Sequence, residues 1–477
     1  MLFMLCGCAV LCIMSWRLWR FTIRPFLHPD EPKEVPYWIP YSPSRTNSYP
    51  SKQLDNSRAP FRVTLFGETL YIISDPVDAA EISRHSKTFT LEPLAKDLLL
   101  KFEISKPAAD RLFAPVASPK TPAPALRAGP LHATDTIIDL YRQHISPGRE
   151  LDSFVEEDII PRIAAILSPT KLCAEALVSG VVSAYYGDVI LQIQPGFAGR
   201  YMDWEKSNWK FLFGLPSFLS RDMLAAKRDM IHLFVTYFSL PPDERGHSNF
   251  WVSSVERLLR DLDLTNEEIA RMFMLHTSSI IGNMYKLCFW LVAHLLSNAA
   301  LLRSISLEIQ PAINPQTQAV DHTYLTENCP ILDSLYSEVL RLIVTSPMTR
   351  HVSSTSTIGG KTLKEGSKVL IIYRQLHLDR STWGPTPETL QAERFQRDKT
   401  LKTKVAYRPW GAGKHVCPGR FLAKKAVFTF VALLLGNYDV EMVEGQPFPS
   451  ADLTKASGVA SIADGQDVMV SLRRLEV

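Results

Sequence analysis

Cys417 stands in the stretch PWGAGKHVCPGRFLA, residues 409–423, with Gly411, Gly413 and Gly419 around it and a proline directly after it. The apolar run RFLAKKAVFTFVALLLG that follows reads as a helix, so Cys417 is expected at its N-terminus with Pro418 as the first helical residue. A helix dipole there favours the thiolate. The glycines permit tight turns and close approach of backbone to a flat ligand, an arrangement suited to aiming one sulfur at a metal held in a large planar cofactor. Zinc would need more protein ligands, whereas a single axial thiolate is haem chemistry. Taken alone, a buried structural cysteine beside a glycine turn remains the competing explanation.

Read as a pattern, WGAGKHVCPG is an aromatic, two residues, Gly, one residue, His, one residue, Cys, one residue, Gly. It resembles the cysteine-ligand loop of the cytochrome P450 family. The resemblance implies that Cys417 binds the iron of haem b, Trp410 packs on its proximal face, His415 pairs with a propionate, and Gly413 and Gly419 shape the loop. Two further stretches follow the same family in the right order. SEVLR places Glu338 and Arg341 three apart on one helical face and AERF supplies Arg394, together similar to the family's glutamate-arginine-arginine network. A carboxylate held between two guanidiniums could lock the segment before the cysteine loop with charge-assisted bonds. A glutamate and an arginine at that spacing are usually only a surface pair, so the match counts in combination. Arg350, in SPMTRHV, is similar to the family's second propionate ligand.

On the oxygen side the resemblance departs. The family usually presents Ala or Gly, Gly, one residue, an acid and a threonine from its long central helix, and the nearest match is IIGNMYK. Gly282 is expected to make the gap in the helix backbone, and Asn283 stands near where an acid or alcohol would be. An amide can hydrogen-bond oxygen, peroxide or water but is no acid. Asparagine at this point is similar to the branch containing prostacyclin synthase, which isomerises a peroxide, and cholesterol 7α-hydroxylase, a monooxygenase. It does not choose between those reactions, and a packing or helix-kink role for Asn283 stays open.

The elements that must position these residues are legible in outline. The chain has 477 residues, 46% hydrophobic, enough for one large core, and a net charge of +3 from 52 basic and 49 acidic residues exerts no global pull on nucleic acid. Its seven cysteines are scattered, three of them at 6, 8 and 12, against a disulfide framework. The first sixteen residues carry no charge, and Arg17, Arg20 and Arg24 follow, so residues 1–24 are expected to be a membrane anchor with the body on the cytosolic side. Seven prolines between 25 and 50 suggest an extended hinge over 25–60 that holds the anchor off from the body at 61–477. APFRVTLFGETLYIISDP alternates as a hairpin does, with Asp75 and Pro76 opening a helix. Thr265 and Glu268 form a capping box for one uninterrupted helix to about Ser297, apolar nearly all round. GGKT at 359–362 echoes a phosphate-binding loop but lacks its first glycine, and a hairpin turn explains it better. The expected class is therefore mainly α with small β-sheets, a P450-type thiolate-haem fold with an N-terminal anchor.

Partners follow from the same residues. Lys399, Lys402, Lys404, Arg408, Lys414, Arg420, Lys424 and Lys425 lie in one stretch with no acid among them, a field that would orient an acidic electron donor. By resemblance the donor is the NADPH-cytochrome P450 reductase, with cytochrome b5 as an optional second partner. The aromatic segment WEKSNWKFLFGLP, 204–216, reads as a roof helix and loop that meets membrane and admits an apolar substrate. The expectation is a monomeric monooxygenase of the endoplasmic reticulum membrane, acting in fungal specialised metabolism. A peroxide isomerase or dehydratase on the same fold and a non-catalytic haem or lipid-binding protein are the alternatives.

Overall fold

A computed structural model describes residues 2–36, 58–65, 68–116, 131–167, 173–246, 248–453, 455 and 458–475. Most of the described residues are helical, and the sheets are small. A six-stranded mixed sheet runs in the order Lys33–Glu34, Phe61–Leu65, Glu68–Ile73, Lys368–Ile372, Pro347–Val352, Phe89–Thr90. Its first hairpin pairs Phe61 with Ile72 as the alternation predicts, and Asp75 then caps the following helix by accepting from the amides of Val77 and Asp78. The GGKT stretch is the expected turn. Gly359 and Gly360 both take positive φ between the short strands Ser356–Ile358 and Lys361–Leu363.

The central helix opens with the expected capping box, Thr265 accepting from the Glu268 amide while Glu268 accepts from the amide of Thr265. It is not uninterrupted. The helix Asn266–Ile281 ends in a turn at Gly282 and Asn283, and Met284–Leu296 continues it. Gly282 N–H still reaches Ser278 O at 3.1 Å and Leu287 N–H reaches Asn283 O at 3.0 Å, so the axis carries on through a local break. Asparagine is a weak helix former because its side chain competes for backbone partners, and here it finds one in Val459. The span Asn266–Leu296 is apolar and long enough to cross a membrane, but it is mostly buried in the body and acts as the core helix.

Against this helix pack Pro330–Ile343 and Arg420–Asn437, which bury Leu332, Leu335, Val339, Phe428, Phe430 and Val431. Each such side chain contributes roughly 1.5–3 kcal/mol by leaving water. These two helices carry Glu338, Arg341 and the residues after Cys417, so the core positions the chemistry.

The N-terminal region departs from the expected hinge. Leu2–Leu18 is helical, but Arg24–Leu27 is helical as well and Lys33–Glu34 joins the sheet as its edge strand. Glu34 is 4% exposed and accepts from Arg20 twice at 2.8 Å, from Arg62 at 2.9 Å and from the Thr64 hydroxyl at 2.6 Å. Burial pushes its carboxyl up, but the bonds from Arg20 and Thr64 and the two guanidinium charges bring it below the usual range. A carboxylate so paired docks the segment on the sheet, because separating it would strand a buried charge. The rest of the proline-rich stretch, 37–57, lies outside the described residues.

Candidate active site

A cavity of about 840 Å³ lies between the central helix, the cysteine loop and the Pro347–Val352 strand. Cys417 lies on its lining and is exposed. Its N–H donates to Trp410 O at 2.8 Å, closing the loop, and Arg420 Nη1 donates to Cys417 O at 2.8 Å. Gly411 and Gly413 have φ of +82° and +66°. A Cβ on Gly413 would meet Ser83 O at 2.5 Å, so a second element presses the loop into shape.

The helix after Cys417 begins at Arg420, two residues later than expected, and Pro418 and Gly419 form the turn that precedes it. The amides of Gly419 and Arg420 nevertheless point at the sulfur. Burial pushes the Cys417 thiol up, and those amides with the Arg420 charge only partly offset it, so the dipole alone does not make a thiolate. The site is built for a cation to complete: a desolvated sulfur with two donors aimed at it.

The other predicted cofactor residues gather around the same space. Trp410, Gly411, His415, Gly419 and Arg350 all line the cavity, whereas Gly413 shapes the loop from behind. Arg350 is 6% exposed and gives Nη1 to Thr349 O at 2.7 Å, but among the described residues no carboxylate pairs with it. Burial lowers its pKa, so this cation wants an anion. Leu340, Val344, Met284, Leu287, Leu422 and Ala423 give the cavity apolar walls that would hold a flat apolar body, and Arg350 and His415 on the same lining would take its acidic groups. The residues present therefore fit a haem.

Glu338, Arg341 and Arg394 meet as predicted. Glu338 and Arg341 are both 0% exposed; Arg341 donates to the two carboxylate oxygens at 2.8 Å each and Arg394 Nε donates to both at 3.1 and 3.0 Å. Arg341 also holds the carbonyls of His377 and Pro387. His377, which sequence reasoning missed, continues the chain: its Nε2 accepts from the Arg408 amide at 3.0 Å, two residues before Trp410. Burial first, then the charges of Arg341 and Arg374, push its imidazole down to about 3, which keeps that nitrogen an acceptor. No sequence pattern marks this histidine; only its position under two arginines does. Arg142, also missed, ties its helix to the loop through Lys414 O at 3.1 Å.

On the opposite wall the two predicted oxygen-side residues separate. Asn283 lines the cavity, and its Oδ1 accepts from the Val459 amide at 2.8 Å. Gly458 has φ of +121°, and a Cβ there would meet Asn283 Oδ1 at 2.1 Å, so only glycine lets the loop close on the amide. With the acceptor consumed, Asn283 has its Nδ2–H donors to offer. Gly282 faces the other way: a Cβ there would meet Tyr201 Oη at 2.7 Å and Ser278 O at 2.7 Å. The expected gap over the cavity is instead room for helix Phe197–Leu212. That face is polar, with Lys286 donating to Glu205 at 2.6 Å.

The basic stretch is also rearranged by tertiary contacts. Lys402 and Lys424 pair with Asp333, the latter at 2.8 Å, and Lys425 pairs with Asp152 at 3.0 Å and with His322 Nδ1 at 2.8 Å. Lys424 and Lys425 are thus structural, and Lys399, Lys404 and Lys414 are the exposed lysines of the patch. The roof segment runs as Phe197–Leu212 followed by a turn; Phe211 and Leu212 line the cavity, and Phe218 and Leu219 are exposed.

Comparison with known proteins agrees with this geometry. The family model for cytochrome P450 matches residues 265–468. The chain is 24% identical over 443 residues to the cytochrome P450 monooxygenase poxD of Penicillium oxalicum, covering 89% of this chain and 90% of that protein. It is 25% identical over 301 residues to the cytochrome P450 monooxygenase nodJ of Hypoxylon pulicicidum, 57% of this chain and 58% of that one. To human prostacyclin synthase it is 28% identical over 251 residues, 48% of this chain and 50% of that one. The fold matches that of retinoic acid-bound cyanobacterial CYP120A1 with a TM-score of 0.68 at 17% identity, covering 93% of this chain and 99% of that one.

Proposed function

The chain belongs to the cytochrome P450 family, and on that premise we propose that it is a haem-thiolate monooxygenase inserting oxygen into an apolar small molecule. The observation that carries the reading is Cys417, its sulfur on the lining of the cavity under two backbone amides. When bound, haem supplies the redox chemistry that activates oxygen. Cys417 would hold it from below, Trp410 and Leu422 would pack on its face, and Arg350 and His415 would neutralise its acidic edge. The Glu338 network, through Arg341, His377 and Arg408, keeps the loop in register. Asn283 donates Nδ2–H to an oxygen-bearing ligand, held in that role by Val459. Apolar walls exclude water and select an apolar substrate.

Electrons would come from an acidic reductase domain that docks on Lys399, Lys404 and Lys414. Leu2–Leu18 spans about 26 Å, near the thickness of a bilayer core, which supports a single anchor in the endoplasmic reticulum membrane with the body in the cytosol. On this proposal its role lies in fungal specialised metabolism.

The reduced, carbon monoxide-bound absorption spectrum of the purified full chain, beside Cys417→Ala, tests the proposal. A long-wavelength thiolate band lost in the variant is expected, and the same band without Cys417 would overturn it. A second reading, a peroxide isomerase or dehydratase, is supported by the likeness to prostacyclin synthase, while Asn283 is compatible with either reaction. Product formed from added peroxide without NADPH would choose it. Haem binding with no product under either supply would instead indicate a binding protein.

A further inference from the structure

We infer that Ser279 and Asn283, one turn apart on the central helix, form a subsite for a hydroxyl group on an otherwise apolar substrate. The hydroxyl donates to Ser279 Oγ and accepts from Asn283 Nδ2. The inference rests on the oxidoreductase reading above and deepens it by naming a group the substrate carries.

The stretch HTSSIIGN, 276–283, puts three hydroxyls in a row. Two of them turn to other elements: Thr277 Oγ1 meets the Tyr186 hydroxyl at 2.7 Å, and Ser278 Oγ accepts from Trp204 Nε1 at 3.1 Å. Ser279 lines the cavity and is the only exposed residue of the helix between Glu267 and Ser297. In a helix otherwise enclosed by the body, exposed surface on a cavity-lining residue is cavity surface. The Ser279 proton is committed, because Oγ donates to Leu275 O at 3.0 Å, so what the side chain presents is lone pairs.

Asn283 presents the opposite. Its Oδ1 is taken by the Val459 amide, whereas Nδ2 has no partner among the described residues and is not sealed from its surroundings, on a side chain that lines the cavity. Gly282 and Asn283 keep right-handed helical dihedrals, so Ser279 and Asn283 stay one turn apart across the local break. Cβ atoms at that spacing are about 5–6 Å apart. A single oxygen bonded at about 2.8 Å to one group and about 2.9 Å to the other spans such a gap. A hydroxyl, donor and acceptor at once, satisfies both; a carbonyl or ether satisfies only Asn283, and a hydrocarbon neither. Neither group is charged, and Ile280, Met284 and Leu287 beside them are apolar, so this wall gives a carboxylate no counter-charge. A substrate held here has the carbon that bears its hydroxyl against the central helix, in the cavity that Cys417 also lines.

The test uses the full haem-loaded chain, first shown to give the thiolate band and then kept reduced and carbon monoxide-bound, so that no ligand oxygen can take the metal's open position. Calorimetric titration compares cyclodecanol, cyclodecanone and cyclodecane. Wild type is expected to bind the alcohol about fivefold more tightly than the ketone. Ser279→Ala brings that ratio to about one with the ketone affinity unchanged. Ser279→Val also loses the preference, and Ser279→Thr, the same shape with a hydroxyl, retains it. Asn283→Asp, which keeps the acceptor for Val459 but loses the donors, weakens the ketone about fivefold and widens the ratio. A packing role would move all three ligands together. Equal alcohol and ketone affinities in wild type, a preference that survives Ser279→Ala or is lost in Ser279→Thr, or an alcohol that does not bind overturns the subsite. A ketone held as tightly by Asn283→Asp as by wild type overturns it too. Absence of the thiolate band would sink the oxidoreductase reading instead, a separate result.

Discussion

Glu338→Gln removes one charge from the middle of the molecule and should loosen the cysteine loop before it unfolds the protein. The carboxylate accepts two bonds from Arg341, two from Arg394 Nε and one from the Gln391 amide at 3.0 Å, with no water access. Glutamine keeps the shape but turns an NH₂ toward guanidinium donors and leaves Arg341, 0% exposed, without its counter-ion. Breaking a buried pair by removing one partner costs about 3–5 kcal/mol, against a total stability of roughly 5–15 kcal/mol. At the midpoint of that range the folded-to-unfolded ratio drops about 1000-fold. The loss is routed: Arg341 releases the carbonyls of His377 and Pro387, Arg394 releases Trp383 O, and His377 no longer holds the Arg408 amide in place. Urea unfolding followed by tryptophan fluorescence reads the global cost, and amide hydrogen exchange over 377–417 reads the local one. The exposed pair Lys101–Asp97 is the control, and Asp97→Asn should change stability by about 0.5 kcal/mol or less. A cost for Glu338→Gln below about 1 kcal/mol, or unchanged exchange over 377–417, would refute the reasoning.

Asn283→Ala strands the amide of Val459, which is 4% exposed, and should cost about 1–3 kcal/mol, while Asn283→Asp, which keeps the acceptor, should cost about 1 kcal/mol or less; thermal unfolding compares them. Asp78 is held up to about 6 from 3.8 by burial, then by Asp75 and Glu81, so the unfolded state loses its proton first and stability falls as pH rises from about 4 to 6. After allowance for solvent screening that is about 1–2 kcal/mol, so Asp78→Asn should stabilise at pH 7.5 and be nearly neutral at pH 4, as read by urea midpoints. Reversing Lys404 and Lys414 to Glu should cut reductase-driven turnover and its salt dependence with the melting temperature unchanged. Lys424→Glu with Lys425→Glu should lower the melting temperature by several degrees, because Asp333 keeps only Lys402 and gains a repelling neighbour while Asp152 loses Lys425.

Some of this was legible because it is local in the chain. The cysteine, its glycines, Trp410 and His415 lie within ten positions, and backbone geometry over so short a stretch leaves few arrangements. Glu338 and Arg341 are one helical turn apart, so their meeting follows from the helix period. Asp75, Thr265 and Glu268 cap their helices because capping needs only neighbours.

The chain order alone could not say which side of the central helix meets the cavity. Gly282 and Asn283 are adjacent yet face opposite ways, and the choice is made by a loop 176 residues away, whose Val459 amide takes the asparagine oxygen. The basic stretch looked unopposed because its acids, Asp333 and Asp152, come from distant helices. The apparent hinge is docked because Arg20 finds Glu34 on a sheet edge completed by residues far downstream. By itself the sequence determined the cysteine loop, the Glu338–Arg341 pair and the mainly α class, each carried by spacings of a few residues. Only the tertiary structure decided where every charge finds its partner and which polar groups are left facing the cavity, because burial and ion pairing depend on what long-range packing brings within a few ångströms.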